Sequence, residues 1–165
     1  MTRRIFILSI IGIGTGLALL PQYAKTPILL EPFKVIEAVQ ETLFPKNLKI
    51  PSALEFGATN YLLRVSNHSS FDKDDLKFLQ YGTHLLIQKN PNFLREAPSI
   101  KEQILREFVE SSSKAEKWVA LLLYYSVEAL FSDPIYGGNK NKIGWKSVNH
   151  HTGEPRPKVC FGGEI

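Results

Sequence analysis

Apolar residues recur at a spacing of three and four along most of the chain, and prolines separate these periodic segments. The first segment predicts an amphipathic helix over 32–44. A second helix is predicted over 52–65, because Ser52 and Glu55 have the spacing of a capping box. A third helix over 72–89 begins with acidic residues, which the dipole of a helix favours at its N-terminus. Its predicted buried stripe consists of Leu76, Leu79, Thr83, Leu86 and Ile87.

Two further helices complete the predicted body. Ser99 and Glu102 have the spacing of another capping box. The predicted inner face of this helix carries Ile100, Ile104, Leu105, Phe108 and Val109. The last helix, over about 115–131, is apolar nearly all round from Trp118 to Tyr125, which is typical of a central buried helix. No alternating pattern predicts a strand, so we predict an all-α bundle of four to five helices.

Residues 132–165 differ from this helical body. They hold six of the eleven glycines and three of the ten prolines, without clear periodicity. We predict an irregular glycine-rich C-terminal arm that lies along a surface, either its own or a partner's. Tyr136 and Trp145 lie in a loop with little local core, so we expect them to contact a partner, and we expect the helical body to fold without the arm. Trp118, Tyr124 and Tyr125 are compatible with an interface stripe or with ordinary core.

The N-terminus predicts export. Arg3 and Arg4 precede an uncharged run over 5–20, which is too short to span a membrane as a helix and is typical of a signal segment. Thr2, Arg3, Arg4 and Phe6 resemble the twin-arginine export motif. The alternatives are an ordinary secretory signal or a short uncleaved anchor. We therefore predict a signal segment over 1–24, cleaved or retained, a single domain over 25–165 and a periplasmic location, with membrane contact only through the N-terminal segment or a partner.

Charge and cysteine content exclude several classes. The net charge is +4, but residues 25–131 carry 13 basic and 13 acidic side chains, so the body has no basic excess for nucleic acid. One cysteine excludes an internal disulfide framework. No G-x-G-x-x-G fingerprint predicts a dinucleotide fold.

Candidate chemistry is sparse. The Gly137-Gly138-Asn139 segment is compatible with a phosphate cradle, but a turn that uses positive φ angles is favoured. His150 and His151, with Glu154 and Cys160, form one metal-like cluster, although adjacent histidines point differently in most backbones. Cys160 is either a free thiol or a link to a partner subunit. We predict no catalytic, cofactor-binding or metal-ligating residue in this chain.

The arm carries a resemblance to a known family. The stretch from Phe131 to Asn139, followed by Ile143-Gly144-Trp145, resembles the C-terminal signature of the gluconate 2-dehydrogenase subunit 3 family. The chain departs from that family after Trp145, where a Tyr/Phe-Pro-Gly turn is usual. The matched positions, which we predict to bind the partner, are Asp133, Pro134, Tyr136, Gly137, Gly138, Asn139, Gly144 and Trp145.

The resemblance implies an accessory subunit without catalysis of its own. Its partner would be an FAD-containing dehydrogenase subunit of the glucose–methanol–choline type, often joined by a multihaem cytochrome c subunit. The resemblance also implies that the leader, read by the export translocase at Arg3, Arg4 and Phe6, carries the folded partner across the membrane. The competing interpretations are a free-standing periplasmic helical binding protein and, more weakly, an independent enzyme that uses the histidine tail. The sequence does not identify the substrate of the complex.

Overall fold

The computed structural model describes residues 31–46, 49–155, 159 and 161. Within these residues the chain forms seven α-helices and no strand, which confirms the all-α prediction. The helices are α1 (Glu31–Leu43), α2 (Ala53–Phe56), α3 (Ala58–Ser66), α4 (Lys73–Lys89), α5 (Pro98–Ser111), α6 (Ser113–Phe131) and α7 (Ile143–Ser147). The predicted signal segment, with Arg3, Arg4 and Phe6, lies outside the described residues, as does Cys160. None of the helices described has the length and apolar character needed to cross a bilayer.

Helix α6 is the centre of the bundle, as predicted. It contacts every other helix in the described part of the chain. Trp118 and Leu122 are fully buried on its inner side, and the Trp118 indole N–H donates to the Leu79 carbonyl of α4 at 2.9 Å. The helix is not buried on all sides, however, because Leu123 and Tyr124 on its outward side are exposed. The apolar residues of α6 therefore lie on two different surfaces, one buried in the core and one exposed.

A buried polar cluster joins three helices inside the core. The Gln40 amide of α1 donates to the Ser126 hydroxyl of α6 at 3.2 Å and accepts from the Thr59 hydroxyl of α3 at 2.8 Å. A buried polar group without a partner costs about 1–3 kcal/mol. Because the Gln40 amide reaches both partners only when the three helices are correctly placed, the cluster helps to specify their relative positions.

The capping box at Ser52 and Glu55 is confirmed. The Ser52 backbone N–H donates to the Glu55 carboxylate at 2.8 Å, and the Ser52 hydroxyl accepts from the Glu55 N–H at 3.3 Å. The helix that follows is shorter than predicted, because Gly57 adopts a φ of 79° and separates α2 from α3. The two short helices therefore replace the single helix predicted over 52–65.

The capping box at Ser99 and Glu102 is wrong. Pro98 is the first residue of α5 and Ala97 is its N-cap, so Ser99 lies inside the helix. Glu102 instead accepts from Arg106 at 2.6 Å, one turn later on the exposed surface. Ile100, predicted on the inner face, is 42% exposed because it lies in the first turn, before α5 reaches the core.

Candidate functional site

The first part of the C-terminal arm, residues 132–147, folds back against the end of α6, so it lies on the chain's own surface. It contains 3₁₀ turns at Pro134–Tyr136 and Lys140–Lys142, followed by α7. Residues 132–147, called the C-terminal cap below, include all eight of the predicted partner-binding residues. A stretch without helical periodicity thus forms a defined structure by packing against a helix that precedes it.

Asn139 organises the C-terminal cap. It is fully buried, its amide donates to the Ser132 carbonyl at 2.9 Å, and its side-chain oxygen accepts from the Gly144 N–H at 2.9 Å. Gly137 and Asn139 have φ angles of 92° and 45°. The prediction of a turn that uses positive φ angles is therefore confirmed.

Trp145 and Gly144 close the end of α6. The Trp145 indole N–H donates to the Phe131 carbonyl at 2.8 Å, and its side chain is 7% exposed. A Cβ atom on Gly144 would lie 1.9 Å from the Leu130 carbonyl oxygen. The last carbonyls of a helix lack partners within it, and the cap supplies one. The expectation that Trp145 lies in a loop with little local core is wrong.

The remaining predicted residues shape the outer part of the cap. The Asp133 carboxylate accepts from the Ile135 N–H at 3.1 Å, and Pro134 occupies the first position of that 3₁₀ turn. Tyr136 is half-buried, with its ring 4.8 Å from that of Phe161. Contacts within the chain's own fold do not exclude contacts with a partner, so the partner-binding role of these residues stays a prediction.

An open groove of about 970 Å³ lies beside the C-terminal cap, and we call it the tyrosine groove. It runs between α3, the start of α4 and α6, and its lining includes four tyrosines and four carboxylates: Tyr61, Tyr124, Tyr125, Tyr136, Asp72, Asp75, Glu128 and Asp133. None of the described residues that line it is Lys or Arg. The sequence pattern did not predict this groove, because its walls come from distant parts of the chain.

The aromatic residues of α6 divide between the core and this groove. Trp118 is fully buried and Tyr125 nearly so, whereas Tyr124 is 59% exposed. Of the two interpretations of these aromatics, core is confirmed for Trp118 and Tyr125. Tyr124 remains available for an interface.

Burial raises the pKa of two of the groove's tyrosines. The Tyr125 hydroxyl donates to Asp75 at 2.5 Å, and burial together with this bond raises the pKa of Tyr125. Burial, followed by the neighbouring Glu128 carboxylate, raises the pKa of Tyr61. Both hydroxyls are therefore neutral donors at physiological pH, and the groove carries the negative charge of its carboxylates.

The histidine tail does not form a metal site within the described residues. His150 and His151 are exposed, and the His150 ring lies 6.0 Å from that of Trp145. No group of three or more His, Cys, Asp or Glu side chains is close enough to hold a metal ion in the part of the chain that the structure describes.

A family model described as Gluconate 2-dehydrogenase subunit 3 matches residues 31–153. This range contains all seven described helices and the whole C-terminal cap. No curated protein and no solved structure matches the chain.

Proposed function

The chain belongs to the gluconate 2-dehydrogenase subunit 3 family, and we propose that it is a non-catalytic accessory subunit of a periplasmic FAD-dependent complex of the gluconate 2-dehydrogenase type. The family name itself makes the chain one subunit of a multisubunit dehydrogenase. The observation that carries the proposal is the family match over 31–153, because it includes both the bundle and the C-terminal cap.

In this proposal the chemistry belongs to other chains. A flavoprotein of the glucose–methanol–choline type holds FAD and oxidises gluconate or another sugar or sugar acid. In complexes that include a multihaem cytochrome c subunit, that subunit passes the electrons on. The missing dinucleotide fingerprint supports the assignment of FAD to the partner. The accessory subunit supports the maturation and assembly of that flavoprotein.

Export is the second part of the proposed role. Paired arginines are planar, permanently charged groups that lysine does not reproduce. The translocase reads Arg3 and Arg4, and the flavoprotein crosses the membrane folded and bound to this chain. Both subunits then act in the periplasm.

The combined change Arg3→Lys and Arg4→Lys tests the export role. It keeps the charge but removes the guanidinium geometry, so we expect both subunits to remain in the cytoplasm on cell fractionation. The matched control is Arg95→Lys with Arg106→Lys in the exposed part of the bundle, which should leave export intact. Wild-type amounts of periplasmic flavoprotein in the leader variant would contradict the role.

The purified accessory subunit tests the non-catalytic role. We expect it to show no flavin absorbance and no oxidation of gluconate with an artificial electron acceptor. Stoichiometric flavin in the isolated subunit would sink this part of the proposal.

A further inference from the structure

We propose that the outward face of α6 and the tyrosine groove together form the docking surface for a basic segment of the flavoprotein subunit. This inference rests on the proposed function and adds to it a location and a partner chemistry. Phe131, Asp133 and Tyr136 of the family signature line this groove, but neither the resemblance nor the family match points to the rest of the outward face of α6.

The outward face of α6 carries a continuous apolar stripe. At 100° per residue its members fall within one arc of about 100°, and the stripe is about 16 Å long from first to last. They are Ala120, Leu123, Tyr124, Val127 and Phe131, all exposed. Solvent-facing sides of bundle helices normally carry polar residues. A contiguous apolar patch beside a groove is typical of a protein–protein interaction site.

Packing among the described residues does not account for this stripe. The opposite side of α6 already packs against the bundle through residues such as Trp118, Leu122 and Ala129, which are fully buried. The stripe continues into the groove, because Tyr124, Val127 and Phe131 belong to the stripe and also line the groove. The two features therefore form one surface rather than two.

The charge of the groove indicates what binds there. Its carboxylates are held in place, since Asp75 accepts from Tyr125 and Asp133 accepts from the Ile135 N–H. Two cations lie beside the groove, and each donates to a backbone carbonyl: Arg64 to Ile135 at 3.0 Å and Lys73 to His68 at 3.4 Å. Among the lining residues described, the acidic side chains thus have no lysine or arginine beside them, and His68 is the one histidine.

A basic segment fits this lining better than an acidic one or a second copy of this chain. An arginine or lysine side chain can lie over a tyrosine ring while it pairs with a carboxylate. A symmetric dimer across this face would bring two acidic grooves together, which like-charge repulsion opposes. We therefore assign the surface to a basic, partly apolar segment of the flavoprotein.

The test compares matched tyrosines in binding measurements between the purified accessory subunit and the purified flavoprotein. Tyr124 and Tyr81 are 59% and 47% exposed, but only Tyr124 lies on the proposed surface. We expect Tyr124→Ala to raise the Kd at least about 30-fold, as for an aromatic hot spot, and Tyr81→Ala to leave it unchanged. Thermal unfolding of both variants checks that each is folded.

A charge variant tests the predicted partner chemistry. Glu128→Lys should raise the Kd more than about tenfold, because the new lysine repels a basic partner segment. Glu128→Gln should raise the Kd less, because it only removes an attraction. The control, Glu110→Lys on α5, should bind like wild type. Binding of the wild type should also weaken with added salt, and Glu128→Gln should reduce that dependence.

The outcomes separate this inference from the proposed function. Failure of the wild-type subunit to bind the flavoprotein would overturn both. If the wild type binds and neither Tyr124→Ala nor Glu128→Lys changes the Kd, the docking surface is overturned and the accessory role stands. A wild-type homodimer that Tyr124→Ala dissociates would assign the surface to a second copy and also overturn the inference.

Discussion

The C-terminal cap and the outward face lie on two sides of the end of helix α6, and they differ in residue type and in burial. The inner part of the C-terminal cap, formed by Gly138, Asn139, Gly144 and Trp145, is buried, and hydrogen bonds within the chain hold it. The outward face consists of large apolar residues, such as Tyr124 and Val127, that are left exposed. Asn139, Gly144 and Trp145 of the family signature therefore complete the subunit's own fold, whereas Asp133 and Tyr136 also line the groove that we propose for assembly. The rest of the proposed surface has a far less specific pattern.

This difference separates two properties that a motif can indicate. Few other residues fit at positions 139 and 144. Asn139 makes two directed hydrogen bonds, and Gly144 allows a close backbone contact. A docking face requires only apolar area and suitable charge. A highly specific motif is thus better evidence for a structural constraint than for a contact with a partner.

Trp145→Ala should have the largest effect on the cap. It removes a buried aromatic side chain and the indole bond to the Phe131 carbonyl, so we expect a loss of about 3–5 kcal/mol in the free energy of unfolding. Chemical denaturation of the isolated subunit measures it. Val148→Ala, at a residue just after α7 that is 51% exposed, is the control and should change little. An unchanged unfolding midpoint for Trp145→Ala would mean that the arm is not part of the fold.

Gly144→Ala should come next. The added Cβ would lie 1.9 Å from the Leu130 carbonyl oxygen, so α6 and α7 must move apart at a cost of about 1–3 kcal/mol. Gly153→Ala adds the same methyl group where, apart from its chain neighbours, no atom of the described residues lies within 4 Å. This control should stay within about 0.5 kcal/mol of wild type in the same denaturation experiment. Equal stability of the two variants would contradict the close approach.

Asn139→Gly isolates the hydrogen bonds of the cap. Glycine accepts the positive φ angle, so the loss, about 1–3 kcal/mol, comes from the bonds to Ser132 and Gly144. Asn149 also has a positive φ, 54°, but is exposed, so Asn149→Gly is the matched control. Urea unfolding midpoints should fall for Asn139→Gly and stay near wild type for the control. The reverse order would show that the turn geometry matters more than the bonds.

The smallest predicted effect concerns the tyrosine groove at alkaline pH. Burial and the bond to Asp75 raise the pKa of Tyr125 above its ordinary value near 10. The unfolded chain therefore loses this proton first as the pH rises above about 10, so the stability that Tyr125 contributes is present below that pH and declines above it. Wild type should be more stable than Tyr125→Phe at pH 8, and the difference should shrink between pH 10 and 11 in thermal unfolding. A difference that grows with pH would contradict the assignment.

Local signals in the sequence predicted what local interactions determine. The bond between Ser52 and Glu55 spans three residues, and the spacing alone identified it. The same spacing failed at Ser99 and Glu102, because Pro98 suits the first helical turn and starts α5 one residue before the proposed N-cap. A competing local preference, rather than the tertiary structure, explains that error.

The C-terminal cap and the groove depend on contacts that no periodic pattern reveals. Trp145 is buried only because it reaches the Phe131 carbonyl, fourteen residues earlier. Tyr125 and Asp75 meet across fifty residues, on two different helices. The resemblance marked where the cap lies, and its glycines were compatible with an arm on the chain's own surface or on a partner's. Composition does not distinguish the two, because glycine allows a close backbone contact with either surface.

Hydroxyl-radical footprinting of the accessory subunit, alone and bound to the flavoprotein, tests the central distinction most directly. It reports the solvent access of individual aromatic side chains in both regions at once. We predict that Tyr124 and Phe131 react in the free subunit and are protected in the complex, whereas Trp145 is protected in both. A Trp145 that reacts in the free subunit and becomes protected only in the complex, with Tyr124 reactive throughout, would contradict the account and assign the partner to the C-terminal cap.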